Sequence, residues 1–217
     1  MNDDLLTDAG GTRQWRETLG PGAVVLRGWA SREAGMLLAE IGQIIAQAPF
    51  RHMETPGSFR MSVAMSNSGE FGWVTDQAGY RYQALDPASG LPWPAMPAQF
   101  RQFATTAAAE AGFANFVPDA CLINRYEIGA RMSLHQDKDE RDLTQPIVSV
   151  SLGLPATFQF GGLKRSDPVL RITLTHGDVV VWGGVDRLRY HGVLALKAGE
   201  HPLTGACRLN LTFRQAR

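Results

Sequence analysis

Cysteine and net charge are both scarce in this sequence. The 217 residues include only two cysteines, Cys121 and Cys207, which form no C-x-x-C pair. So few cysteines argue against a disulfide scaffold or a cysteine-rich zinc site, and are typical of a reducing compartment. Basic and acidic residues number 21 each, giving a net charge of zero. Bulk charge therefore gives no support for polyanion binding, although it leaves a local basic patch open.

Neither a signal-peptide pattern nor a long apolar run is visible in the sequence. The N-terminus, "MNDDLLTDAGG", is acidic and has no basic-then-apolar signal pattern. No apolar run approaches the roughly 20 residues that would cross a bilayer. We therefore expect a soluble, cytoplasmic protein with no membrane partner. A chain of this length is long enough for one domain with a sizeable core.

Two helices are predicted in the N-terminal half. The first follows Ser31 as N-cap, carries an apolar stripe and ends at Pro49. The second covers 97–111, with Pro97 in its first turn and Gly112 as its stop. We expect residues 1–20 to be a flexible arm and 21–217 to form a single domain.

The segment between the helices, 50–96, is rich in glycine, proline, serine, methionine and aromatic residues. Such a long connection in a compact domain is usually a binding loop or lid, here with short strands near 60–65 and 79–83. From residue 119 the sequence consists of short strand-like runs separated by turns, from "ACLINRYE" to "GACRLNLTFR". That spacing favours a β-sandwich or jelly roll supported by the two helices.

The last strand-like run, "RLNLTFR", alternates polar and apolar residues. Arg208, Asn210, Thr212 and Arg214 share one face. An amphipathic strand with its polar side in water explains this pattern equally well. If helices cover the apolar face, the arginines point into the barrel and need anions, and a dicarboxylate ligand would suit them. Six strand residues span roughly 20 Å, so one small diacid reaches both only if the side chains lean together.

A metal site is suggested by His135 and Asp137 in "LHQDKDE", since alternate residues of extended backbone face the same way. A solvated turn with Lys138 and Glu140 explains the same letters. Among the other histidines, His191 is the best third ligand, because it lies in a strand-like run beside a glycine. Two histidines and one carboxylate are typical of non-haem Fe(II) oxygenases, although zinc would accept the same ligands.

These motifs in this order resemble the Fe(II)/2-oxoglutarate dioxygenases, and in finer detail the AlkB family of nucleic-acid demethylases. The resemblance rests on "DACLINRYEIGARMSLHQDKDE", "PIVSVSLGLPATFQFGGLKRSDP", "LTHGDVVVWGG", "RYHGV" and "CRLNLTFRQA", and extends upstream to "GWVTDQAGYRY" and "PWPAMP". It covers nearly the whole chain except the N-terminal arm.

The resemblance implies an α+β, mainly β fold: a double-stranded β-helix, or jelly roll, over 119–215, supported by two helices, with a nucleotide-recognition lid over 50–90. It implies iron bound by His135, Asp137 and His191, with O2 as a further cosubstrate. The residues implied for 2-oxoglutarate are Asn124, Tyr126, Arg208, Asn210 and Arg214. Those implied for the substrate base are Trp73, Tyr80, Tyr82, Asp139 and Arg165.

The implied activity is oxidative demethylation of bases such as 1-methyladenine and 3-methylcytosine, with release of formaldehyde and direct reversal of alkylation damage. Single-stranded DNA is the expected partner, with double-stranded DNA and RNA as alternatives. We expect a monomer without an obligate protein partner. Two other functions stay open: an oxygenase acting on a protein or small molecule, and a non-catalytic jelly-roll binding module.

Overall fold

The computed structural model of the protein describes residues 14–217. In that part of the chain two helices, α1 (Ala34–Gln47) and α2 (Ala98–Glu110), accompany fourteen strands. The strands before α2 are β1 (Trp15–Gly20), β2 (Ala23–Arg27), β3 (Arg51–Glu54), β4 (Arg60–Gly69), β5 (Gly72–Asp76) and β6 (Gly79–Gln83). The strands after it are β7 (Ala120–Glu127), β8 (Met132–His135), β9 (Ile147–Gly153), β10 (Ala156–Phe160), β11 (Leu170–Leu174), β12 (Val179–Trp182), β13 (His191–Val193) and β14 (Cys207–Arg214).

The strands form two main sheets and a separate hairpin. The large sheet has the order β1-β2-β12-β9-β14-β7-β4-β3, the small one β11-β10-β13-β8, and β5 pairs with β6 alone. All their pairings are antiparallel. This layered, mainly β arrangement with two helices confirms the predicted jelly roll.

Two apolar cores lie on opposite faces of the large sheet. On one face, Leu209, Leu211 and Phe213 of β14 pack with residues of α1 and α2, and Phe100 meets Phe213 edge to face at 5.7 Å. On the other face, a second core joins the large sheet to the small one and includes Trp182 and Phe158. Because the helices take the apolar face of β14, its polar face is directed between the sheets, as predicted.

Both predicted helices are present with shifted ends. The helix α1 begins at Ala34 after Glu33, so the prediction that Ser31 caps it was wrong. Ser31 lies in a turn, where its amide donates to the Gly28 carbonyl at 3.0 Å. Pro97 is the N-cap of α2 and does not lie in its first turn, while Gly112 follows the helix with a φ of +95° that favours glycine.

The predicted flexible arm over 1–20 is corrected at its C-terminal end. Trp15–Gly20 is strand β1, paired with β2. Arg27 of β2 fixes this edge, because its guanidinium lies 2.7 Å from both Glu17 and Asp178. Residues 1–13, the rest of the predicted arm, lie outside the described residues.

The segment 50–96 contains four strands, including the two short ones expected from the sequence. Strands β3 and β4 extend the large sheet, whereas β5 and β6 form the separate hairpin. Within residues 14–217, neither helix is long and apolar enough to cross a membrane.

Candidate metal centre

The small sheet brings the two predicted histidine ligands together. His135 ends β8, His191 begins β13, and the two residues are directly paired across these strands. A Cβ at the neighbouring Gly192 would lie 2.7 Å from the Met132 carbonyl oxygen, so glycine lets the two strands approach. The ring centroids of the histidines are 4.4 Å apart.

Asp137 completes a three-residue cluster with these histidines. Its Oδ1 lies 3.5 Å from His135 Nε2, and its Oδ2 lies 3.6 Å from His191 Nε2. One donor atom from each residue lies within 4.8 Å of the other two, and Asp137 and His191 are buried. Two imidazoles and a carboxylate converging in this way can hold one divalent ion.

The hydrogen bonds of the two histidines leave the correct nitrogens free for a metal. The Nδ1 of His135 lies 2.8 Å from the Ser133 carbonyl oxygen, and that of His191 lies 3.1 Å from the Arg189 carbonyl oxygen. A carbonyl only accepts, so each Nδ1 carries the proton and each Nε2 presents its lone pair. Burial, with the nearby His191, lowers the pKa of His135 to about 4, so its ring is neutral at pH 7.

The Asp137 carboxylate is ready for a cation at neutral pH. Burial alone would raise its pKa, but Arg214 and the two histidines hold the pKa well below the usual value. Arg214 donates to Asp137 Oδ2 through Nε at 3.0 Å and Nη2 at 2.6 Å. The arginine therefore fixes the carboxylate between the histidines.

Arg208, the other predicted arginine, is a buried cation with open hydrogen-bonding positions. It is 1% exposed, and its Nη2 donates to Ser151 Oγ at 2.9 Å. Among residues 14–217 its Nε and Nη1 have no hydrogen-bond partner, and burial lowers its pKa. Uncompensated buried charge is costly, and a guanidinium fork matches a carboxylate. The donor set therefore fits a carboxylate of 2-oxoglutarate.

The other predicted cosubstrate residues line the same strands. Tyr126 of β7 lies under Arg208, with the guanidinium carbon 5.0 Å from its ring centroid. Asn124 donates to Asn210 Oδ1 at 3.2 Å, while its own buried Oδ1 has no partner within the described part of the chain. The paired strands β7 and β14 thus carry an acceptor and guanidinium donors that are available to a ligand.

Three of the predicted substrate residues form one unit. The rings of Trp73 and Tyr80, on β5 and β6, stack with centroids 5.7 Å apart and planes 19° apart. The indole N–H of Trp73 donates to Asp139 Oδ2 at 2.8 Å. An aromatic surface thus lies next to a carboxylate only two residues beyond the metal ligand Asp137.

The remaining two predicted substrate residues are not part of that unit: one is exposed and the other is buried. Arg165 is exposed, with its guanidinium carbon 5.8 Å from the Tyr190 ring centroid. Tyr82 is only 5% exposed, and its hydroxyl donates to Glu140 Oε1 at 2.7 Å.

Sequence reasoning missed the buried residues Glu140 and Arg187. Glu140 is 7% exposed, so the alternative of a solvated turn was wrong for this residue. Arg187 donates to Glu140 Oε2 at 3.0 Å, to the Asp137 carbonyl at 2.6 Å and to the Gln145 carbonyl at 2.8 Å. The crowding of acids in "QDKDE" signalled an unusual environment but did not identify these partners.

Comparisons with known proteins agree with this geometry. The family model described as the 2OG-Fe(II) oxygenase superfamily matches residues 22–214. The alpha-ketoglutarate-dependent dioxygenase AlkB of Salmonella typhimurium is 62% identical over 93% of this chain and 94% of its own. The AlkB of Escherichia coli is 59% identical over 98% of this chain and 97% of its own.

A solved structure, that of OsALKBH1, has the same fold. It superimposes with a TM-score of 0.79 at 29% identity and covers 92% of this chain and 99% of its own. The cluster of His135, Asp137 and His191 and the open donors of Arg208 suit iron and 2-oxoglutarate. This chain belongs to the AlkB family of Fe(II)/2-oxoglutarate-dependent dioxygenases.

Proposed function

We propose that this enzyme demethylates N-alkylated bases, such as 1-methyladenine and 3-methylcytosine, in single-stranded DNA, and so reverses alkylation damage directly. RNA is the second candidate polymer. Relatives with lower identity include proteins named as a DNA N(6)-methyladenine demethylase of Arabidopsis thaliana and a tRNA demethylase of Schizosaccharomyces pombe. Their names support a methylated nucleic acid as the substrate class.

The observation that carries this proposal is the unit of Trp73, Tyr80 and Asp139. Tyr80 is 50% exposed and stacks on Trp73, and the indole of Trp73 donates a hydrogen bond to Asp139. Stacking of a base on an aromatic ring contributes about 1–3 kcal/mol. A base methylated on its pairing edge is cationic, so it favours both an aromatic face and a carboxylate. Its damaged pairing also lowers the cost of flipping it out.

Each residue of the metal centre has a definite task. The two Nε2 atoms and the Asp137 carboxylate would hold the iron, and Arg208 would neutralise a carboxylate of 2-oxoglutarate. Trp182 and Phe158 of the core between the sheets pack near the His191 ring, with centroids 4.9 and 6.2 Å away. When bound, iron with O2 and 2-oxoglutarate supplies the oxidation that hydroxylates the N-methyl carbon. The resulting N-hydroxymethyl group leaves as formaldehyde and restores the base.

The lid and core keep their proposed boundaries, 50–90 and 119–215. Two basic residues of the lid are already engaged, because Arg51 pairs with Asp86 and Arg81 pairs with Asp76. Phosphate contacts are therefore better assigned to exposed basic residues, namely Arg60, Lys138, Lys164 and Arg165. We propose that the enzyme acts as a monomer in the cytoplasm, where its free thiols Cys121 and Cys207 suit a reducing environment.

The test is formaldehyde release from single-stranded oligonucleotides that carry one 1-methyladenine. With iron, 2-oxoglutarate and O2, the wild type releases formaldehyde, and the His135→Ala variant releases none. Matched DNA and RNA oligonucleotides rank the two polymers. Consumption of 2-oxoglutarate without demethylation would instead favour an oxygenase acting on a protein or small molecule. Absence of any metal-dependent turnover would favour a non-catalytic binding module.

A further inference from the structure

Glu140 is a buried carboxylate that neither binds the metal nor lies on the substrate surface. Three different parts of the chain converge on it. Tyr82 of β6 donates its hydroxyl to Oε1 at 2.7 Å, and Arg187 donates to Oε2 at 3.0 Å. Arg214 of β14 lies 3.3 Å from Oε1 through its Nε. Glu140 therefore connects the lid hairpin to the strand that carries both arginines.

Two side chains of the hairpin of β5 and β6 reach consecutive acids of the chain. Trp73 and Tyr82 are cross-strand partners, and they bond to the consecutive acids Asp139 and Glu140. Trp73 is partly buried, and Tyr82 is fully so. The hydrogen bond of Trp73 thus belongs to the proposed base-binding unit, and that of Tyr82 lies inside the protein.

Arg214 connects Tyr82 and Glu140 to the metal centre. The Nε of this guanidinium lies 3.0 Å from Asp137 Oδ2 and 3.3 Å from Glu140 Oε1, so two carboxylates share it. The four side chains of Asp137, Glu140, Arg187 and Arg214 balance as two anions and two cations. In a buried network of this kind the position of each side chain depends on its partners, so a substitution at one residue displaces the other side chains.

We propose that Glu140 is a positioning residue, which transmits the placement of Tyr82 in the lid to Arg214 and thereby sets the affinity for 2-oxoglutarate. This proposal deepens the proposed function, since it rests on 2-oxoglutarate binding beside Arg214. A hydroxyl group of the nucleotide lid then controls cosubstrate binding when no nucleic acid is present.

The test measures the dissociation constant of 2-oxoglutarate by calorimetry, without nucleic acid, on protein loaded with Mn²⁺ in place of iron. Tyr82→Phe removes the hydroxyl that donates to Glu140 Oε1, so Arg214 becomes the remaining partner of that oxygen among the described residues. We expect the dissociation constant of 2-oxoglutarate to rise about fivefold to tenfold. Arg81→Met is the control: it breaks the pair between Arg81 and Asp76 on the same hairpin, outside the network of Glu140, and leaves this constant unchanged.

A double-mutant cycle distinguishes transmission through Glu140 from general loosening. In a Glu140→Gln background, Tyr82→Phe changes the dissociation constant less than about twofold, because the receiving carboxylate is already altered. A wild-type constant in Tyr82→Phe, an equal loss in Arg81→Met, or additive effects in the cycle would each overturn the proposal. Should Glu140→Gln fail to fold, the comparison of Tyr82→Phe with Arg81→Met decides alone.

The outcome is independent of the demethylation assay. Loss of 2-oxoglutarate affinity in Tyr82→Phe, together with no release of formaldehyde from any methylated oligonucleotide, would support the positioning role and contradict the proposed substrate. The reverse result would keep the substrate and remove the positioning role.

Discussion

The two arginines at the ends of β14 look equivalent in the sequence but have opposite environments. Arg214 is paired with two acids of its own chain, with Asp137 at 2.6 Å and Glu140 at 3.3 Å. Arg208 is also buried, yet its Nε and Nη1 have no hydrogen-bond partner in the part of the chain that the structure describes. One end of the strand is balanced internally, and the other is prepared for an anion from outside.

This difference shows which part of the site is permanent. The Arg214 end fixes a metal ligand and belongs to the folded structure before any ligand arrives. The Arg208 end tolerates an unfavourable buried charge, which is expected where binding energy is later recovered from a ligand. Stability measurements on the metal-free protein should therefore separate the two arginines.

The largest expected effect is that of Arg214→Met. The substitution leaves Asp137 and Glu140 buried without their shared cation, and breaking such a network costs about 3–5 kcal/mol in the free energy of unfolding. Urea denaturation measures this loss. Arg81→Met, which breaks the exposed pair with Asp76, is the control and costs less than about 1 kcal/mol. A loss from Arg214→Met as small as the control's would remove the distinction between the two ends.

A smaller effect concerns pH at the metal ligand His135. Its pKa is lowered from 6.5 to about 4 in the folded state, so the unfolded chain takes up the proton first as pH falls. The metal-free wild type therefore loses stability relative to His135→Ala as pH falls from about 6.5 to 4, and the difference stays constant above pH 7. Parallel stability curves of the two proteins across this interval would contradict the lowered pKa.

The smallest expected effect on folding is that of Arg208→Met. Methionine removes a buried charge whose Nε and Nη1 lack partners among the described residues. The free energy of unfolding of the ligand-free variant therefore stays within about 1 kcal/mol of wild type or rises. Urea denaturation beside Arg214→Met gives the comparison directly. A loss of several kcal/mol in Arg208→Met would mean that the folded chain already satisfies this arginine.

Local sequence patterns predicted the parts of the site that lie on regular elements. Alternation along β14 predicted which face carries Arg208 and Arg214, and His135-x-Asp137 predicted a two-ligand unit. The helix start was wrong because Ser31 has the chemistry of an N-cap but lies in a turn before α1. Capping preference alone does not determine where the backbone becomes helical.

The buried network could not be read from the sequence. Glu140 meets Tyr82 and Arg187 across 58 and 47 residues, and the fold alone brings them together. Nothing local to Glu140 shows that it is buried while Lys138 is exposed. For the same reason, the sequence does not show that Arg51 is paired with Asp86 or Arg81 with Asp76.

Calorimetric titration of 2-oxoglutarate into Mn²⁺-loaded protein tests the central claim most directly. The wild type should bind one molecule per chain, and Arg208→Met, still folded, should bind at least about thirtyfold more weakly, since it lacks the charge partner of a buried carboxylate. Equal affinity of the two proteins for 2-oxoglutarate would show that the open guanidinium is not the cosubstrate site, and would contradict the account.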